Sequence, residues 1–531
     1  MSTRIIMLLD LDWAGEVRRL GSETVEVEID GEALLYPSGL TLDYEETLDR
    51  TALEPPELGA SFEGLWGGLN WAELRAQGHQ WSSARGAVWM VVEEGGVIGT
   101  PVCLLRGLVR GIEFGDPDQP TSYLRGRVEA LATADTSRLV PAAWMLTVTA
   151  WPELADEAIR AGLGKFPAQV FGRPGLVRGA TNYFVVAVPG YVVEWSLGPS
   201  PVADTLLLAG HTLTETSVAV TDGTVWEAFA VVNVVDGDGR TVPTVDLSPA
   251  VYLSIGTATE YWWACTATTG PGSLALASDR PGLGSVVLAL LERSSLQVDH
   301  ARMASAVEVL DQSEVGGAVV DPEASAWGVV SELLKLYPCA VRVGPDGIYV
   351  VPLVQPARAE DCAHQLLEST RVNREGAVEV IDIQAPSRIE VAWGIAQDTG
   401  TLSGLVQVLL DPTDEGGVLI PGAEGAMGLT LDPEGEPLRL EAPAVYDEAS
   451  ARRAALAQLL AYPPGQERLE LILPAELHTV ELGQWVALDS DTLGRVIVGQ
   501  VIRRRWVGED AVWSLSLLCD ETPDRDAPVS P

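Results

Sequence analysis

The sequence predicts a mainly β, multi-domain chain with α+β elements. Three observations carry that reading. The chain is 531 residues long, beyond what one hydrophobic core serves, so three to five domains are expected. Most apolar residues fall in short runs cut by Gly, Pro, Asp and Thr, the spacing of strands and turns. Helical periodicity is limited to a short stretch near 153–163, a few stretches between residues 281 and 338 and one near 450.

Taken in order, the first part reads as β. In TVEVEIDGEALLY, Val25, Val27 and Ile29 alternate with Glu26 and Glu28, and Asp30-Gly31 is a hairpin turn. PVCLLRGLVRGIEFG and RGRVEALAT add two more strands, so residues 1–130 are expected to form a β-barrel-like unit. Residues 131–280 read as a β-rich accessory domain. A short helix over 153–163 opens it, and strands such as NYFVVAVPGYVVEWSL, SVAVTDG and YWWACTAT follow, with a hairpin turn at DGDG, 236–239.

Residues 281–370 read as an α+β helix–hairpin module. GSVVLALLERS and HARMASAVEVL have helical spacing. Asp321-Pro322 offers an N-cap followed by a first-turn proline, predicting a helix with Trp327, Val330, Leu334 and Tyr337 on one face, stopped at Pro338. The hairpin CAVRVGPDGIYVVPL sets Val341 and Val343 opposite Ile348 and Val350. Residues 371–531 return to strands, interrupted by a helix over DEASARRAALAQLLAY that Asp447 would cap; Leu469, Leu471 and Leu473 share one strand face.

Charge and motifs narrow the function. A net charge of −41 argues against a nucleic-acid groove and an anionic membrane surface. The N-terminal apolar run is cut by Asp10 and Asp12, too short for a membrane or signal segment, so a soluble chain or a part of a particle assembled in the cytoplasm is expected. Five scattered cysteines predict neither a disulfide framework nor a structural zinc site. Gly164-Lys165 fails as a phosphate loop, because Phe166 replaces the metal-binding hydroxyl and Ile159 the first glycine. DSDTLG at 489–494 fails as a calcium loop, with Leu493 and Gln500 at ligand positions. Cys362 and His364 are two neighbouring ligands, short of a metal site. Of sixteen tryptophans, Trp327, Trp485 and Trp513 sit in or beside apolar patterns and are expected as core or interface anchors. No catalytic, cofactor or metal site is predicted.

The candidate site is a hinge within FPAQVFGRPG, 166–175. Pro167 and Pro174 fix φ, Gly172 and Gly175 allow tight bends, and Phe171 and Arg173 lie between them. Arg173 is either the partner of a carboxylate across a domain or subunit contact, or an isolated exposed arginine.

Three stretches form a wider pattern. FPAQVFGRPGLVRG precedes strands. SVVLALLERSSLQVD leads to AWGVVSELLKLYPCAVRVGPDGIYVVPL, a helical stretch ending in a hairpin around Asp-Gly. SRIEVAWG, ASARRAALAQLLAY, LELILPAELHTVELGQWVALDS and RVIVGQVIRRRW follow as strand, Ala/Arg helix, strand, x-L-G-x-x-V and strand. In these, over most of residues 160–520, the chain resembles the tail hub, or baseplate hub, of tailed bacteriophages and gene transfer agents. The resemblance implies a non-enzymatic homotrimer in which each subunit brings two tail-tube-like β-barrel domains, 1–130 and 371–531, plus accessory β and helix–hairpin modules. Six near-equivalent barrels would match a hexameric tube above and threefold fibre or tip components below, closing the DNA channel. The implied partners are a distal tail or tail-tube protein, a tape-measure protein and a fibre or tip protein. DNA passes only through the lumen, no cofactor is needed, there is no stable membrane anchoring, and the place is the virion tail tip, assembled in the host cytoplasm. A negative lumen wall would then repel passing phosphates; the alternative is that the acidic residues only solvate the outer surface. Two other readings stay open: a β-rich carbohydrate-binding or cell-wall-degrading protein, and another tail ring or adsorption protein.

Overall fold

The computed structural model describes residues 3–520 apart from 14–15, 49–57, 68–83, 115–120, 131–134, 136, 158, 173, 179–182, 186, 197–201, 254–260, 267–281, 338, 354–358, 368–372, 382–385, 397–401, 409–434, 446–447, 462–465, 491–494 and 509–511. The first part carries β1 (Thr3–Trp13), β2 (Glu16–Gly21), β3 (Val25–Ile29), β4 (Glu32–Tyr36), β5 (Leu40–Thr47), β6 (Gly59–Gly67), β7 (Arg85–Glu94), β8 (Val97–Ile98), β9 (Val102–Phe114) and β10 (Thr121–Ala130). The second carries β11 (Gln169–Gly172), β12 (Gly175–Arg178), β13 (Tyr183–Val185), β14 (Val188–Ser196), β15 (Val202–Leu207), β16 (Ser217–Thr221), β17 (Trp226–Ala230), β18 (Val232–Val235), β19 (Thr241–Asp246) and β20 (Tyr261–Thr266). Then come α1 (Leu283–Leu291), α2 (His300–Leu310), β21 (Gly316–Val319), α3 (Ala326–Leu334), β22 (Cys339–Gly344) and β23 (Gly347–Pro352). The last part carries β24 (His364–Leu367), β25 (Asn373–Ile381), β26 (Ile389–Ala396), β27 (Leu402–Val408), β28 (Leu438–Ala442), α4 (Glu448–Ala461), β29 (Gln466–Leu473), β30 (Trp485–Ser490), β31 (Arg495–Val507) and β32 (Val512–Asp520).

Two large sheets organise these strands, and the chain is mainly β as its sequence predicts. The first has fourteen strands, with the path β2-β1-β7-β9-β10-β6-β5-β31-β32-β29-β25; β30 and β24 branch from β31, and β8 from β7. The second has twelve, with the path β18-β19-β15-β14-β20-β12-β13-β26-β27; β16, β17 and β28 branch from it. The strands β26 to β28, late in sequence, therefore extend the sheet of the second part through β13, with Phe184 opposite Ala396.

The central strand β1 shows why its apolar run is nearly continuous. Ile5, Met7, Leu9 and Leu11 face the main core, and Ile6 and Leu8 face a second cluster beneath the β3–β4 hairpin. A strand buried on both faces needs no alternation. Asp10 does not end the strand, because Tyr36 Oη donates to it at 2.8 Å and Trp89 Nε1 at 3.1 Å.

Several local expectations hold. The β3–β4 turn puts Asp30 at φ 53 and Gly31 at φ 83, the left-handed pair of a two-residue hairpin. Val341 faces Val350 and Val343 faces Ile348 across β22–β23. Leu469, Leu471 and Leu473 are buried while Glu470 and Ile472 are half-buried. Asp236 turns the β18–β19 hairpin, with its carboxylate accepting from Asp238 N and Arg240 N.

Two expectations are corrected. Among the described residues of 153–163 there is no α-helix; 3-10 turns stand at Pro152–Ala155 and Arg160–Gly162. An eleven-residue segment nucleates poorly alone, and two turns already bury Trp151, Leu154 and Ile159 beside Val193 and Leu207. The helix expected to be capped by Asp321 is capped four residues later, by Ser325, and starts at Ala326. Asp321 folds back on Glu323 N at 2.9 Å, while Ser325 Oγ accepts from Gly328 N at 3.0 Å and caps α3. A serine three residues before an unpaired helical amide displaced the aspartate as N-cap. Pro338 and Asp447 lie outside the described residues.

Candidate functional site

An extensive contact joins a strand of the first part to a strand of the last. Strand β5 pairs with β6 on one side and with β31 on the other, Arg503 opposite Thr47, Arg504 opposite Glu46 and Arg505 opposite Glu45. The sequence RRRW in β31 alternates faces, so Arg503 and Arg505 point outward and Arg504 inward. A register shift between Val501 and Arg503 sets this phase, and Leu48 N donates to Ile502 O at 2.8 Å.

On the outer face Arg503 binds Glu45 through two bonds of 2.9 Å each. Arg505 lies 4.0 Å from Asp43 and 3.8 Å from Glu45. The pattern continues along the sheet, with Arg125 on Glu63 at 2.7 Å and Arg468 on Glu470 at 2.9 Å. Across β10, β6, β5, β31 and β29 the outer face is thus a band of paired opposite charges, in a chain whose net charge is −41.

On the inner face Arg504 is only 4% exposed. Its guanidinium lies 3.8 Å above the Trp513 ring and donates to His478 O at 3.0 Å. Trp513 meets Tyr44 and Trp506 edge-on, at 6.0 and 5.5 Å. The helix–hairpin module closes the junction. Arg342 is buried, donates to the Thr47 carbonyl and lies 3.8 Å from Glu46, which also accepts from Tyr44 Oη. Burial, reinforced by the Glu46 charge, holds the Tyr44 hydroxyl well above the usual tyrosine range, so it stays a donor. Arg302 stands over Tyr349 and bridges Asp299 and Glu481, 3.5 Å from each. Three parts of the chain meet here, and Trp513 is the core anchor its pattern suggested; Trp327 and Trp485 are half-buried.

The FPAQVFGRPG stretch takes a different place. Pro167 is buried, and Gln169–Gly172 form β11, paired with β21. The ring of Phe171 lies over Gly317, where an added Cβ would meet it at 2.5 Å. Gly172 has φ +56, and a Cβ there would stand 2.2 Å from Val315 O. Arg173 lies outside the described residues. Pro174 O then accepts from Cys265 N at 2.7 Å, and Gly175 begins β12 beside β20. Within six residues the chain leaves a two-stranded sheet and enters the twelve-stranded one. This stretch and the β5–β31 junction are separate places. Of the junction residues, Trp513 is the anchor expected from its apolar pattern, while Glu45, Glu46, Arg503 and Arg504 are not singled out by sequence; RRRW in β31 was the available signal.

Among the described residues, no three His, Cys, Asp or Glu side chains gather as metal ligands. His364 bonds Gln484 Oε1 at 3.0 Å, and His478 Nδ1 lies 3.1 Å from Ala475 O.

No known family model matches the chain, and no curated protein matches it in sequence. Solved structures do align with it. The tail protein from Neisseria meningitidis MC58 is 9% identical, over 98% of this chain and 97% of that one, with a TM-score of 0.38. The 43 kDa tail protein of prophage MuSo2 from Shewanella oneidensis is 9% identical, over 96% and 97%, with a TM-score of 0.35. A chain of the native gene transfer agent virion is 13% identical, over 69% and 87%, with a TM-score of 0.37. Phage-type tail and gene transfer agent proteins are the class that the sequence resemblance names.

Proposed function

We propose that the chain is a structural tail protein of a phage-type particle, acting as the trimeric hub at the tail tip. The observation that carries this reading is the β5–β31 junction. It locks the first and last β units of one chain into a single sheet, held by Arg503–Glu45 outside and Arg504–Trp513 inside. A subunit that holds two β units side by side is the repeat that three copies need to present six units around one axis. In this reading the hub adapts a sixfold tube to threefold tip or fibre components and closes the DNA channel. It works through shape and symmetry, with no catalytic residue. The partners are a distal tail or tube protein, a tape-measure protein and a fibre or tip protein, and DNA is met only in transit.

Native mass by light scattering, with particle averages from electron microscopy, tests the reading. A mass of three times 56.5 kDa and a sixfold-looking ring around a channel is the expected result. A hexamer would move the chain to another tail ring. A monomer that binds or cleaves glycan would replace the hub with a carbohydrate-active protein.

A further inference from the structure

His211 joins the two sides of the FPAQVFGRPG corner in a way that depends on its protonation. Its Nδ1 lies 3.0 Å from Thr212 O, and its Nε2 accepts from Val170 N at 3.0 Å. A carbonyl only accepts and an amide N–H only donates, so this geometry dictates a neutral ring with the proton on Nδ1. The imidazole is stacked on Trp144 at 6.0 Å.

The bond has a mechanical position. Strand β11 pairs with β21 of the helix–hairpin module, Val170 opposite Ala318. Its other rail faces the segment after β15, where Gly210 N donates to Ala168 O at 3.1 Å and His211 receives Val170 N. Here a side chain fills the place of a backbone acceptor. β11 is therefore tied to the helix–hairpin module on one side and to the second β sheet's loop on the other.

We propose that His211 is an acid-sensitive latch: its protonation sets two N–H groups against each other at Val170 and removes one of the two bonds that tie this segment to the second β unit, leaving Gly210 N to Ala168 O and loosening that unit from the helix–hairpin module. Among the described residues, the charged group acting on the ring is Arg293. Burial above all, and Arg293 in addition, hold the imidazole below the usual histidine range, against the pull of the Thr212 carbonyl. The latch is therefore fully closed above the unfolded histidine value near pH 6.5 and opens as pH falls toward the lower folded value. Nothing in this depends on the tail reading.

The test is hydrogen–deuterium exchange of the full chain at pH 7.5 and 5.0, corrected for intrinsic exchange, in the unaltered protein and in His211→Gln. Glutamine offers an acceptor that does not titrate. The unaltered protein should lose protection across 166–175 by roughly fivefold or more at pH 5.0, the scale of one hydrogen bond, and His211→Gln should stay flat. Imidazole nitrogen NMR on the unaltered chain, which has five histidines, should show a neutral Nδ1–H tautomer at pH 7.5 and a midpoint below 6.5. Equal acid loss in both proteins would overturn the latch, as would a His211 midpoint at or above the ordinary value; the ring measurement decides even if the variant does not fold.

Discussion

Arg503 grips Glu45 with two parallel bonds of 2.9 Å across 458 residues of sequence. The fork of a guanidinium matches both carboxylate oxygens, which adds direction as well as strength. Both side chains are about one-third exposed, so water screens the pair. Removing either one should cost about 1 kcal/mol, and a double-mutant cycle of Arg503→Ala with Glu45→Ala should return a coupling of roughly 0.5–1 kcal/mol. Denaturant unfolding of the four proteins measures it, and additive effects would mean the pair does not act as a unit.

Arg504 is a different case. It is buried, stacked on Trp513 and bonded to the His478 carbonyl. Arg504→Ala removes a cation–π contact and a charged hydrogen bond and opens a cavity, so it should destabilise by about 3 kcal/mol. Arg504→Lys should recover little, because an ammonium cannot lie flat on indole. Thermal unfolding of both variants decides this; full rescue by lysine would point to charge alone.

Asp135 ties the start of the second part to the helical module. Its carboxylate accepts from Ser137 N at 2.9 Å, Ser295 N at 3.0 Å and Trp327 N at 2.8 Å. Partial burial opposes ionisation, but these amides outweigh it and bring the group down to about 2. A carboxylate depressed in the fold adds stability above its unfolded value near 4, and that stability is lost as pH falls from there toward 2. After discounting for exposure, about 1–2 kcal/mol should disappear over that window, and Asp135→Asn should flatten it. Unfolding midpoints between pH 5 and 2.5 provide the check; the same slope in both proteins would assign the acid loss elsewhere.

Two glycines separate conformation from contact. Gly31 has φ +83 and open space where a side chain would go, so Gly31→Ala should cost only the left-handed penalty, about 1 kcal/mol. Gly172 has φ +56 and Val315 O at 2.2 Å from the would-be Cβ, so Gly172→Ala should cost at least about 2 kcal/mol and disturb the β11–β21 pairing. A smaller loss at Gly172 than at Gly31 would show that the corner yields easily.

What the sequence made legible was local. Asp30-Gly31 and the Val341–Val350 register follow from turn chemistry and period-two alternation within a dozen residues. The burial of Leu469, Leu471 and Leu473 follows from the same rule. The start of α3 was misplaced because Asp321 and Ser325 both satisfy the cap pattern, and only the fold shows which meets a free amide. Strand β1 read as a truncated apolar run because Asp10 finds Tyr36 and Trp89 from distant strands. At the junction the only local signal is RRRW, and it does not name a partner. Nothing near Glu45 names Arg503, and the three arginines reveal their split between two faces only once β31 has a neighbour on each side.

The β5–β31 pairing also sets an order of events during synthesis. Strand β5 can pair with β6 early, but its other edge must wait for β31. At roughly 5–20 residues per second, the 458 residues between Glu45 and Arg503 take about 20 to 90 seconds to emerge. Through that interval the nascent chain presents an open strand edge, the feature that most readily recruits a wrong partner. Asp43, Glu45 and Glu46 stand on that waiting edge, and charged side chains on an unpaired edge are the kind that oppose edge-to-edge pairing.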